Sequence, residues 1–219
     1  MEEKNLLMEY LEYRCSVYYC LKTVFVKEAT MAQIRQLIRS CKKMTPMDGM
    51  PVAERAYVEY FASIKDEQVK EIREELKAEY ARLFLGPKQL IAPPYESVYR
   101  SCNRLMYGEE TDHVRMFYEN AGMMMQKKAK LPEDFIGTEL EFMYLMSHRM
   151  YQAIEQGQEE QAIKIAIYQY EFLIQHMNEW IGKFSKDIME GTSMEFFKVS
   201  AAYLNEFIQE DITFLKQWR

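Results

Sequence analysis

The chain is predicted to be all-α: a single-domain helical bundle over residues 1–219, with an irregular proline-rich connector near 86–110. Three observations predict this. Apolar residues recur at helical spacing almost from end to end, enough for about eight or more helices. The 8 glycines and 6 prolines are few and cluster at a handful of places, the pattern of long helices with short stops. No strand-like alternation of useful length, internal repeat or low-complexity tract breaks the pattern. With 48% hydrophobic residues, a chain of this size buries roughly 70–75% of its extended surface without disulfides or metals.

The elements follow in order. Leu7, Tyr10, Leu11, Val17, Tyr18, Leu21, Val24 and Phe25 form the stripe of a first helix, interrupted by Arg14. Thr30 starts a second, with Gln33 placed for a capping box. Residues 45–51 (TPMDGMP) are a breaker, and a third helix runs from about Val52 to Ile64. Asp66 caps a fourth, whose stripe of Val69, Ile72, Leu76, Tyr80 and Leu83 ends at Gly86-Pro87, as helix C-termini often do. After the connector, Thr111 caps a short helix to Ala121, stopped by Gly122 and followed by the loop MMMQKKAK. Pro132 stands as the first residue of a long helix through Gln156, stopped by Gly157. Its LEFMYLM centre is apolar on nearly all sides, which predicts a central position. The next helix puts Ile163, Ala166/Ile167, Tyr170, Leu173/Ile174, Met177, Trp180/Ile181, Phe184 and Ile188 on one face and stops at Gly191. Thr192 and Glu195 cap a last helix with the stripe Phe197, Ala201, Leu204, Ile208, Ile212, Leu215 and Trp218.

Several function classes drop out. A net charge of −6 argues against nucleic acid, which needs clustered positive charge, and suits a cationic ligand. Cys15, Cys20, Cys41 and Cys102 have no C-x-x-C spacing, so a reduced cytoplasmic setting is expected. The acidic, amphipathic N-terminus is unlike a signal peptide. No stretch approaches about 18 uninterrupted apolar residues, so neither export nor stable membrane insertion is expected. Among three histidines, only His113 completes a Glu-x-x-His spacing, with Glu110 at a predicted helix start, so no metal site is expected. No G-x-S-x-G, phosphate loop, G-x-G-x-x-G or H-E-x-x-H is present, and no enzymatic activity is predicted. Two features stand out instead. There are 17 methionines, 16 tyrosines and 12 phenylalanines, residues that suit surfaces accepting varied apolar side chains. The segment Pro93-Pro94-Tyr95-Glu96-Ser97-Val98-Tyr99 would present two tyrosines from a stiff backbone.

Three segments resemble a known family. Tyr80-x-x-Leu83-Phe84, Gly86-Pro87 and the run Pro93 to Tyr99 resemble the central signature of the TorD/DmsD family of redox-enzyme maturation chaperones. The run from Leu131 to Met143 (LPEDFIGTELEFM) resembles its second signature, and Phe172-Leu173-x-x-His176-Met177-x-x-Trp180 a weaker third. One departure stands out: Phe135 follows Asp134 where that second signature has histidine.

The resemblance implies an all-helical cytoplasmic chaperone that binds the twin-arginine leader, the body, or both, of a molybdenum-cofactor oxidoreductase precursor until cofactor insertion is complete. Dimers, domain-swapped ones included, occur in that family, and weak guanine-nucleotide binding has been proposed for it; no cofactor of the chain's own is expected. Tyr80, Leu83, Phe84, Pro94, Tyr95 and Tyr99 are the expected apolar lining, completed by Pro132 and Phe135. Asp134 and Glu139 are the candidates to meet arginine, and Ser97 to hydrogen-bond the leader backbone. This expectation requires an apolar, acid-rimmed cleft between the Pro-Pro-Tyr segment and the start of the long helix. The alternative is a nitrate-reductase-type assembly factor acting on the catalytic subunit without a leader.

Overall fold

The computed structural model describes residues 2–44, 48–86, 90–101, 106–125 and 131–219. Expectations for residues 45–47, Pro87, Cys102 and the lysine-containing part of the loop at 126–130 lie outside the described residues. The helices are α1 (Glu2–Phe25), α2 (Met31–Lys43), α3 (Val52–Ser63), α4 (Val69–Tyr80), α5 (Glu96–Arg100), α6 (Glu109–Asn120), α7 (Ile136–Glu155), α8 (Glu159–Phe172), α9 (Asn178–Gly191) and α10 (Glu195–Lys216). Wide π turns extend α4 through Ala81–Leu85 and join α8 to α9 through Leu173–Met177. The described residues contain no strand, only an isolated antiparallel bridge between Tyr95 and Phe135. None of their helices is long and apolar enough to cross a membrane.

The chain divides into two compact units: Met1–Lys22, Tyr95–Trp180 and Ile208–Arg219 form the first, Thr23–Pro94 and Ile181–Phe207 the second. The first is organised around the residue that interrupts the stripe of α1. Arg14 is fully buried, and so is Asp211 of α10. The two meet through a fork, Nε to Oδ1 at 2.5 Å and Nη2 to Oδ2 at 2.9 Å. Arg14 also donates to Gln169 Oε1 at 3.1 Å, and the Tyr18 hydroxyl donates to Asp211 Oδ2 at 2.5 Å. Burial alone would favour the neutral guanidine, but the charge and hydrogen bonds of Asp211 overcome it and hold Arg14 charged. Phe214 lies under the guanidinium at 5.0 Å. One ion pair thus ties α1, α8 and α10 together.

The same pair explains a shifted stripe. The expected face holds after residue 176, with Met177, Trp180, Ile181, Phe184 and Ile188 all buried. Before it, Ala166 and Leu173 of the expected face are buried, but Ile163 is exposed and Ala162, Ile165, Gln169 and Phe172 also turn inward. A π turn adds one residue relative to the α ladder, which rotates the face by about 100°. The helix therefore turns Gln169, not Tyr170, toward Arg14.

The second unit is an aromatic core. Phe84 packs edge-on against Phe25, Tyr80 and Phe197, and Tyr57 stacks near Phe61 and Tyr203. The Tyr80 hydroxyl donates to the Phe25 carbonyl at 3.0 Å. Thr30 and Gln33 form the expected capping box of α2. Pro51 offers no side-chain cap to α3, so Glu206 supplies one, accepting the Ala53 and Glu54 N–H groups at 3.1 and 2.9 Å. Asp66 is not the helix cap expected of it. It opens a short 3-10 turn, Asp66–Gln68, and its carboxylate pairs with Arg35 at 2.6 Å.

Breaking a buried ion pair leaves a desolvated charge. Asp211→Ala is therefore expected to destabilise the protein by about 3–5 kcal/mol in urea unfolding, and the double change Arg14→Met, Asp211→Leu to recover most of that loss.

Candidate functional site

The two signature segments meet in the first unit. Tyr95 and Phe135 pair through the antiparallel bridge, with their rings 5.7 Å apart. The Glu96 N–H donates to the Asp134 carbonyl at 3.1 Å. The extended backbone this needs at Phe135 delays α7, which begins at Ile136 rather than at Pro132. Asp134 is fully buried; its Oδ2 accepts the Ser97 N–H at 2.8 Å and its Oδ1 the Thr111 hydroxyl at 3.0 Å. One carboxylate thus caps the first turn of α5, because Tyr95 has no side chain able to do so. It also anchors α6, which starts at Glu109, so that Thr111 lies inside the helix rather than at its cap.

Beneath α5 lies a second polar group. Glu96 is fully buried and accepts from Arg100 of the same helix; its Oε2 also lies 2.9 Å from His176 Nδ1. Arg100 reaches on to the Gln175 carbonyl at 2.7 Å. Glu139 of α7, also fully buried, accepts the Trp180 indole N–H at 3.2 Å. Burial first, then the charges of Glu96 and Asp134, push the Glu139 carboxyl well above the usual carboxylate range. Trp180 in turn stacks on Tyr99, 5.6 Å between rings at 30°.

The expected site residues separate by exposure. Ser97, Pro132, Asp134, Phe135 and Glu139 are buried in the first unit, while Tyr95 and Tyr99 are half-buried and reach the surface. Pro94, Tyr80, Leu83 and Phe84 belong to the second unit and are buried there. Leu83 and Phe84 fill its core. Asp134 and Glu139 are therefore bonded internally, and Ser97 gives its backbone N–H to Asp134.

Sequence reasoning missed Glu96, Arg100, Thr111 and Tyr107. The third signature pointed to the first two, since its His176 pairs with Glu96 and Arg100 reaches the carbonyl of Gln175 within it. Tyr107 is 64% exposed and has a φ of +64°, the left-handed region that bulky residues rarely occupy. Tyr95 is half-buried, and that burial above all pushes its hydroxyl upward. Beside these tyrosines α6 opens with Glu109, Glu110 and Asp112 in its first turn. Among the described residues no group of three or more His, Cys, Asp or Glu side chains is arranged to hold a metal ion.

A bundle whose signature segments converge in this way has known counterparts. The chain resembles the chaperone protein TorD of Aliivibrio salmonicida, 24% identical over 216 residues that cover 96% of this chain and 98% of the relative. It also resembles chaperone protein TorD of Photobacterium profundum, 26% identical over 93% of this chain and 94% of the relative. A crystal structure described as that of a redox enzyme maturation protein from Archaeoglobus fulgidus shares the fold, with a TM-score of 0.55 over 90% of this chain and 93% of the other, at 16% identity. The class is that of the redox-enzyme maturation chaperones. The nitrate reductase delta subunit family model matches residues 47–186, well over half of the chain, and the chain belongs to that family.

The capping role of Asp134 has a measurable consequence. Asp134→Ala strands the Ser97 N–H and the Thr111 hydroxyl, and should cost about 2–4 kcal/mol in chemical unfolding, on the scale of hydrogen bonds to a buried charge. Thr111→Val should cost less, about 1 kcal/mol.

Proposed function

We propose that the protein is a cytoplasmic chaperone, not an enzyme, that holds the twin-arginine leader of a molybdenum-cofactor oxidoreductase precursor before export. Family membership supports the chaperone role. The observation that carries the leader reading is that Tyr95 and Tyr99 reach the surface from a segment fixed against Phe135 and Trp180, while the exposed Tyr107 leads directly into the acidic first turn of α6. An apolar run with two arginines matches both halves of that surface. Tyr95, Tyr99 and Tyr107 make the direct apolar contacts. Asp134, Phe135, Ser97 and Glu139 act from beneath, holding the segment that presents them, and Glu109 and Glu110 meet the arginines, Asp112 being already paired with Arg115.

The magnitudes suit a holder that must let go. Three aromatic anchors at about 1.5–3 kcal/mol each give about 5–9 kcal/mol before ordering costs, so the dissociation constant is about micromolar at best. Exposed ion pairs add roughly 0–1 kcal/mol each and mainly select for cationic segments.

A second reading follows from the description of the matching family. As a nitrate-reductase-type assembly factor, the protein would grip the catalytic subunit and ignore the leader. Pull-down with a leader-deleted client separates the two, since only the second reading retains it in full.

In a calorimetric titration with a synthetic twin-arginine leader, Tyr95→Ala should weaken binding about tenfold. Tyr107→Gly is more telling, because glycine accepts the left-handed backbone: stability should change by less than about 1 kcal/mol while affinity falls. Unchanged affinity in both variants would remove this surface from the site.

A further inference from the structure

A concave apolar surface that folding leaves open is a place where a ligand can bury area. The first unit has one, a cavity of about 440 Å³, within the size range of small-ligand sites. Its floor is apolar: Leu7 of α1, Ile154 of α7, Ile163 of α8 and Trp218 just past α10. Ile154 is buried, Leu7 and Trp218 are half-buried, and Ile163 is 39% exposed. The exposure of Ile163 follows from the π turn, which sets Gln169 inward and this residue outward. Four stretches of chain thus bring apolar side chains to a space that none of them fills.

The rim carries charges of both signs. Glu3, Lys4, Glu159 and Arg219 also line the cavity, and all four are exposed. Among the described residues none of the four enters an ion pair. Arg219 is nevertheless held in place, its guanidinium 5.0 Å over the Tyr170 ring, on the face of α8 that carries Ile163. Two cations and two anions sum to no net charge. A guest of one sign meets as much repulsion as attraction there, whereas a guest with one charge of each sign gains from both pairs.

We propose that this cavity is a binding site for a short apolar peptide with free ends. The peptide's side chains pack on Leu7, Ile163 and Trp218, its amine meets Glu3 and Glu159, and its carboxylate meets Lys4 and Arg219. No residue of the site comes from the signature segments, so it stands or falls apart from the leader reading. Apolar contact supplies most of the affinity, because exposed ion pairs contribute little. The dissociation constant of a dipeptide is therefore about 0.1–1 mM.

Trp180 and Trp218 are the chain's two tryptophans, and Trp218 alone of them lines the cavity. Their indole N–H resonances therefore carry both the test and its control. When the full chain is titrated with phenylalanyl-leucine, the Trp218 resonance should shift to saturation while that of Trp180 stays still. Ile163 is exposed, so Ile163→Glu should fold as the parent does. It sets an anion on the apolar floor and should weaken binding about tenfold or more. Lys4→Gln and Arg219→Gln should each weaken it by up to about fivefold.

Masking the peptide's ends one at a time tests the charges. The N-acetyl and C-amide forms should each bind less tightly than the free dipeptide, and unchanged affinity in either overturns the recognition of two charged ends. A Trp218 shift with decanoate or dodecylamine but none with the dipeptide assigns the cavity to a singly charged amphiphile and overturns the proposal. Free leucine that binds as tightly as the dipeptide overturns the choice of a peptide. No Trp218 shift at about 10 mM dipeptide, well above the expected constant, or a shift unchanged in Ile163→Glu, overturns the site itself. A saturable Trp218 shift that Ile163→Glu removes and that masking either end weakens supports it.

Discussion

A carboxylate beyond the reach of water has to be surrounded by donors, because an uncompensated buried charge costs more than a small domain can spare. Asp134 meets that requirement with groups from two other elements, the Ser97 N–H of α5 and the Thr111 hydroxyl of α6. The rest of the candidate site follows from this. The Asp134 backbone is drawn alongside Glu96, Phe135 is held extended against Tyr95, and α7 cannot begin before Ile136. Five residues are too few to hold a helix by their own hydrogen bonds. Helix α5 exists because a carboxylate outside it satisfies its first turn and Arg100 ties its last turn to Gln175.

Arg14 and Asp211 apply the same rule elsewhere in the first unit, where the pair joins α1 to α10 and claims Gln169. This decides how the sequence could be read. Helix positions were legible from periodicity alone, and so were the stops at Gly122 and Gly157, which both adopt positive φ. The misplaced features depend on distant partners. Arg14 reads as a break in a stripe until Asp211, 197 residues away, is known. The π turn at Leu173–Met177 leaves no mark in a 3.6-residue pattern except the one-residue offset that puts Gln169 inside. Asp66 looks like a cap by type and position but answers to Arg35 instead.

The site was legible to a similar depth. The signatures did single out stretches that meet, Tyr95 with Phe135 and Glu96 with Asp134 at the entry to α7. The direction of the acids was the weak point, although part of it was recoverable. Glu139 shares a helical face with Ile136, Leu140, Met143 and Met146, all buried, so its phase already marks it as inward, whereas Glu141 is out of phase and exposed. Glu96 gave no such signal, since a helix of five residues has no period to read. Tyr107 was invisible for a different reason: its left-handed backbone leaves no trace in residue type.

The exposed and buried halves of the site thus divide the work. A surface tyrosine on a mobile loop would lose part of its binding energy to ordering, whereas one on a fixed backbone has that cost met during folding. Tyr95 is fixed by the bridge to Phe135, and Tyr99 by Trp180. Acids that form hydrogen bonds inside the protein cannot also grip arginine, so the buried carboxylates contribute rigidity and the outer acids of α6 contribute charge. On the leader reading proposed above, such an arrangement would bind a segment through shape and apolar contact while keeping electrostatics weak. That combination suits a chaperone whose partner must eventually leave.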